Sequence, residues 1–286
     1  MKIKGPSGKN LKEEIMKPKT VFTKADVIVI VSCIVFLLLN IAAVGPGGQR
    51  HAKEMLCLSQ LHKWGDVFQD YLNDNGGYFM PGWYPQLYDN DSVWMSALRD
   101  YYGNNDKLRC CPEATVPGSE LGLSEYGGSG VFTAWGVFSE AWSPVVPGDY
   151  GSYGMNGWAC NPPPNYDYQS HQINNNWRTA NVVGGDNIPL FLDSQWIDGW
   201  PLPYDDPPEF DGQRWDDINH MTRFCMNRHR GYVNSLFLDF SARKVGLKEL
   251  WTLKWHRQYD TCGLWTVCGG VQPNDWPEWM QEFEDY

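Results

Sequence analysis

Several things are scarce in this chain of 286 residues, and each scarcity excludes a class of function. Basic residues are few: 23 Lys and Arg stand against 34 Asp and Glu, a formal net charge of −11. The imbalance is local. From Gln49 onward there are 16 basic and 31 acidic residues, a net of −15. Such an acidic body excludes binding to nucleic acid or anionic lipid through a phosphate-directed surface. There is no phosphate-binding loop and no H-E-x-x-H pair, and Gly127-Gly128-Ser129-Gly130 lacks the second half of G-x-S-x-G. No internal repeat is present. No catalytic residue is assigned and no enzymatic activity is expected. A glycosidase would need two convergent carboxylates, and in so acidic a chain no particular pair stands out.

What the chain does have begins with an apolar run. From Val27 to Val44 no residue is charged, and only Ser32 and Asn40 are polar. Eighteen residues of helix extend about 27 Å, near the hydrocarbon thickness of a bilayer. Six lysines and two glutamates precede the run within residues 1–21, and the acidic body follows it. The positive-inside rule then predicts a single pass, with a cytoplasmic N-terminus and a periplasmic or cell-surface ectodomain. No A-x-A cleavage site follows the run. Gly45-Pro46-Gly47-Gly48 comes instead, so a retained anchor is expected. The expected division is a leader over 1–21, a membrane helix and kink over 22–48, and an ectodomain over 49–286.

Within the ectodomain, Leu58, Leu61, Trp64, Phe68 and Tyr71 recur at steps of three and four. This predicts an amphipathic helix over 49–74. Asn73-Asp74-Asn75-Gly76-Gly77 supplies its stop. Trp94–Tyr102 reads as a short second helix. A loop-rich insert over 103–219 carries strand candidates at Gly130–Phe138, Tyr150–Trp158 and Ile188–Asp193. The clearest hairpin is Gly231–Val245, with Asp239-Phe240-Ser241 as its turn, and a short helix follows at Leu247–Trp251. The hairpin and an acidic, aromatic tail make up 229–286. The predicted class is α+β: a long N-terminal membrane helix continuing into an antiparallel sheet with large loop insertions.

Three stretches together resemble type IV pilin-like proteins, specifically type II secretion pseudopilin-like proteins with an H-x9-D-G signature. Phe22-Thr23-Lys24-Ala25-Asp26 before the apolar run is similar to the prepilin pattern, in which Gly precedes Phe-Thr-Leu-Ile-Glu. Arg50 to Leu61, with Cys57, leads through the helix to Asn75-Gly76-Gly77-Tyr78-Phe79-Met80-Pro81; this is similar to a C-x-x-N-L-K-Q helix ending in N-x-G-x-F-P. His229 and Asp239 are separated by nine residues in a strand-turn-strand setting. Three positions depart from the pattern. Val21 stands where the family has Gly, so the processing site at Val21 and Phe22 is degenerate. Asp26 replaces Glu, and Phe240 replaces the final Gly.

The resemblance implies a non-enzymatic subunit of a secretion or pilus machine that associates with itself or with other pilin-like subunits through its N-terminal helix. Asp26 would pair with the amine of a neighbouring subunit once Phe22 is freed. Without cleavage it is an interfacial carboxylate beside Lys24. His229 and Asp239 read chiefly as structural residues of the hairpin, with Asp239 bonding turn amides. Because Phe240 is poorly suited to the positive φ that Gly would take, a different turn type is expected. No cofactor is expected, although the resemblance raises calcium as a candidate on Asp193, Asp205 and Asp206. Cys110 or Cys111 with Cys160, and Cys262 with Cys268, are candidate disulfides, and reduced buried thiols are the alternative. The competing function is an anchored surface protein that binds glycans or other partners without assembling. It would use loop tryptophans, with Trp177, Trp196, Trp200, Trp276 and Trp279 the exposed candidates.

Overall fold

The computed structural model describes residues 23–43, 46–83, 92–103, 105, 107–123, 128, 130–138, 146–164 and 171–286. The chain divides into two compact units, Met1–Gln49 and Arg50–Tyr286. The leader and the processing positions Val21 and Phe22 lie outside the described residues.

Helix α1 spans Lys24–Ala43. Thr23 and Asp26 cap its start reciprocally: both the amide and the hydroxyl of Thr23 donate to Asp26 Oδ2 at 2.8 Å, and the Asp26 amide donates to Thr23 Oγ1 at 3.2 Å. This exchange satisfies first-turn amides that have no partner within the helix. A separate helix, α2, spans Pro46–Asp74. Proline is suited to opening a helix, because its missing N–H would have had no partner there. Two expectations are corrected here. The chain does not form one long N-terminal membrane helix running into the domain, and among the described residues no helix is long and apolar enough to cross a membrane.

In the larger unit, the buried face of α2 carries Cys57, Leu61, Trp64, Phe68, Tyr71 and Leu72. The helix stops at Asn75-Gly76-Gly77, where both glycines take positive φ and the Gly77 amide returns to the Leu72 carbonyl at 2.7 Å. Short helices α3 (Trp94–Ala97) and α4 (Arg99–Tyr102) set further rings against it. The Trp64 ring lies 5.5 Å from that of Trp94 and 5.1 Å from that of Tyr102. Each fully buried aromatic or large aliphatic side chain contributes roughly 1.5–3 kcal/mol through water exclusion.

The expected antiparallel sheet is also corrected: among the described residues there are two sheets, both mixed. In the first, β1 (Val116–Pro117) runs parallel to β2 (Thr133–Gly136), which is antiparallel to β3 (Tyr150–Gly151). The second has the order β6-β4-β5-β7-β8. Its members are β4 (Tyr153–Asn156), β5 (Pro189–Asp193), β6 (Asp198–Gly199), β7 (Tyr232–Phe237) and β8 (Ala242–Gly246). β6 pairs parallel with β4, and the remaining pairs are antiparallel. The mixture arises because β6 follows β5 within a few residues and enters the sheet beyond β4, on the side away from β7.

Helix α2 meets the β7–β8 hairpin closely at Gly65. A Cβ there would lie 3.3 Å from Leu236 Cδ1 and 3.6 Å from Phe240 Cβ. Phe191 of β5 packs on Trp64 with ring centroids 4.8 Å apart. Helix and sheet thus share one core, and one of the polar groups that enter it gathers Cys57, Cys111, Asp193 and His229.

Candidate metal centre

The cluster draws on four separate stretches of chain. Cys57 comes from the buried face of α2. Cys111 follows α4 in a turn, and its amide donates to Ser152 Oγ at 2.7 Å, just ahead of β4. Asp193 ends β5, in register with Tyr153 of β4. His229 lies in the turn before β7, where its amide bonds the Tyr232 carbonyl at 3.0 Å. Arg230 and Gly231 make that turn tight, with φ values of 57° and 90°.

The ligand atoms of Cys57, Cys111, Asp193 and His229 all lie within 4.8 Å of one another, and all four residues are buried. Cys57 Sγ is 3.9 Å from both carboxylate oxygens of Asp193. Cys111 Sγ is 3.5 Å from His229 Nε2, which lies 3.0 Å from Asp193 Oδ2. An outer ring of donors orients the group. Arg228 Nη1 bonds Asp193 Oδ1 at 3.0 Å, and the Asn234 amide donates to Oδ2 at 2.8 Å. Tyr153 donates its hydroxyl to Cys57 Sγ at 3.1 Å.

Electrostatics follow from burial and pairing. Burial opposes charge on Asp193, but His229 and Arg228 outweigh it and hold the carboxyl well below the usual range. Burial likewise opposes a charged His229, yet the neighbouring Asp193 carboxylate raises the ring to about 10. The Cys111 thiol is pushed up, first of all by burial. Arg228 and His229 also line a depression of about 200 Å³ together with Arg50, Glu54, Glu113 and Asp211.

Chemically, the arrangement does not form a nucleophile relay. Both Cys111 and Asp193 address the same ring nitrogen of His229. A relay needs the nucleophile on one nitrogen and the orienting carboxylate on the other. Two sulfurs, an imidazole and a carboxylate converging on one point instead form a donor set suited to a borderline-soft divalent metal.

His229 and Asp239 do not come together. Asp239 is exposed in the hairpin turn, where it accepts from the Ser241 amide at 2.9 Å and the Ser241 hydroxyl at 2.6 Å. The partner of His229 is Asp193, 36 positions away. The expectation of a different turn is also corrected: Phe240 takes φ 65°, the left-handed conformation that Gly would supply. Its partly buried ring packs against the core, which offsets the backbone cost.

The calcium candidates are not gathered. Asp193 is committed to the cluster. Asp205 is buried and accepts from the amides of Leu202 and Met221 at 3.0 and 3.1 Å, while Asp206 is exposed. Among the described residues, Asp205 and Asp206 belong to no ligand group.

Cys262 and Cys268 are bonded to each other. Cys111 and Cys160 do not pair; both are buried free thiols, and Cys111 faces His229 instead. The five loop tryptophans are not an exposed set. Trp177, Trp196, Trp200 and Trp276 are buried, and Trp279 is half-buried with its indole N–H on the Pro208 carbonyl at 2.8 Å. Sequence reasoning missed Cys57, Cys111, Asp193 and Arg228 as members of one site. Only the position of Cys57 beside the buried stripe of α2 hinted at it.

No protein-family model, no curated protein and no solved structure matches this chain.

Proposed function

We propose that the chain is a non-enzymatic subunit of a pilin-like assembly serving a type II secretion-like or pilus-like machine, with the Arg50–Tyr286 unit as its outward body. One observation carries this reading. Eight apolar side chains of α1, from Val27 to Phe36, are between 46% and 67% exposed. Apolar area left in water costs about 25 cal/mol per Å², so a helix presenting it on every side requires a cover. The α1 helices of further copies, or of other pilin-like subunits, provide that cover. The buried, non-relay geometry of the polar cluster and the enclosure of the loop tryptophans fit a body that packs and presents surface rather than one that turns over substrate or stacks sugars.

The test is the association state of the full chain in mild detergent, with photo-cross-linkers at Ile30 and Ile34. Cross-linked oligomers that Ile34→Asp abolishes are expected. A wild-type chain that stays monomeric at every detergent concentration overturns the assembly reading. The mass of the mature N-terminus shows in the same preparation whether the chain is processed before Phe22.

A further inference from the structure

We propose that Cys57, Cys111, Asp193 and His229 form a structural zinc site that fastens α2, the Cys111 turn and the five-stranded sheet to one another. This inference is independent of the assembly reading.

Geometry is its first support. With zinc–ligand bonds of about 2.0–2.3 Å, a tetrahedral site has ligand-to-ligand edges of about 3.3–3.8 Å. The separation of Cys111 Sγ from His229 Nε2 is 3.5 Å, and that of Cys57 Sγ from Asp193 is 3.9 Å. The His229–Asp193 edge, at 3.0 Å, is a hydrogen bond in the metal-free arrangement and would open by a few tenths of an ångström. Four donors from four separated stretches converge where hydrophobic side chains would otherwise pack, and a metal ion is the occupant that engages all of them. A Cys57–Cys111 disulfide would use only the sulfurs and leave the convergence of His229 and Asp193 unexplained.

The surroundings provide the second support. Metal ligands need outer partners to fix their orientation. Asp193 has Arg228 and the Asn234 amide, Cys57 has the Tyr153 hydroxyl, and the Cys111 backbone is fixed to Ser152. Charge also balances: a divalent ion, two thiolates, one carboxylate, a neutral imidazole and the Arg228 guanidinium sum to zero. On loading, both thiol protons leave and His229 presents Nε2 without its proton, the displaced protons passing to solvent. The depression beside Arg228 and His229 is the entry path.

The experiment is metal analysis of the full chain purified with zinc in the buffer and then dialysed free of loose metal. About one zinc per chain is expected. After chelation, reloading with cobalt(II) should produce thiolate-to-cobalt charge-transfer absorption. Cys57→Ser and Cys111→Ser should each lower zinc content at least tenfold, while Cys225→Ser, at a buried free cysteine outside the cluster, keeps it. Should the cluster variants fail to fold, the wild type decides alone, through its zinc content and peptide mapping of its thiols. A Cys57–Cys111 disulfide, or two free thiols with no zinc uptake, overturns the proposal.

Discussion

Arg228 Nη1 lies 3.0 Å from Asp193 Oδ1, and neither side chain has measurable exposure. A buried ion pair is weak evidence of net stabilisation, but removing one partner strands the other. Arg228→Met should therefore cost about 3–5 kcal/mol in urea unfolding. Asp193→Leu should cost a similar amount alone. The double variant should cost clearly less than the sum, because it removes both members of the pair and leaves only His229, which can give up its proton once Asp193 is gone. Additive costs would show that the two groups do not depend on each other.

Phe240 holds φ 65° in the hairpin turn next to α2. Left-handed backbone costs a residue with a Cβ about 1–2 kcal/mol. Phe240→Ala and Phe240→Gly both remove the ring, and only Ala retains the backbone cost. The Gly variant should be the more stable of the two by about 1 kcal/mol. Equal stabilities in thermal unfolding would show that the turn relaxes to another conformation.

His220 accepts the Trp200 amide on Nδ1 at 2.9 Å, a bond that protonation of that nitrogen would break. Burial, followed by nearby Arg223, lowers its pKa to about 2. The unfolded ring titrates near 6.5, so below that pH the unfolded chain takes up the proton and the folded one does not. Stability therefore falls as the pH drops from about 6.5 toward 2, by about 1.4 kcal/mol per unit once well below 6.5. Asp198 and Asp205 act in the opposite direction. Burial raises them to about 6 and about 7, so their contribution grows as the pH falls toward the unfolded carboxylate value. Comparing wild type with His220→Gln, which keeps an acceptor for Trp200, cancels the carboxylates. Wild type should lose about 2 kcal/mol more than the variant between pH 7 and pH 5. Parallel pH profiles would rule out a neutral, buried His220.

The Asp26 carboxylate caps α1 through Thr23, and the proposed assembly would give it a second, separable role against a neighbouring subunit. Thr23→Ala removes most of the cap, costing about 1 kcal/mol of helix stability, and leaves the carboxylate in place. Assembly of the full chain should survive Thr23→Ala and fail in Asp26→Ala. Equal loss in both variants would reduce Asp26 to a capping residue.

The sequence by itself determined the local elements. The Leu61, Trp64 and Phe68 spacing marked the buried face of α2, and the glycines after Asp74 marked its end. The apolar residues around Val233, Leu236 and Phe237 marked β7, and Asp239 with Ser241 marked the turn. These are short-range properties, set by helical and strand periodicity and by turn chemistry. Tertiary structure decided which strands pair, and so made both sheets mixed. It also gave His229 the carboxylate of Asp193 rather than that of Asp239, and it enclosed the loop tryptophans. It brought Cys57 to Cys111 across 54 positions of chain. A sequence pattern reports which face a residue presents. Which distant residue meets it there depends on strand order and on how closely α2 approaches the sheet at Gly65, and no local spacing encodes either.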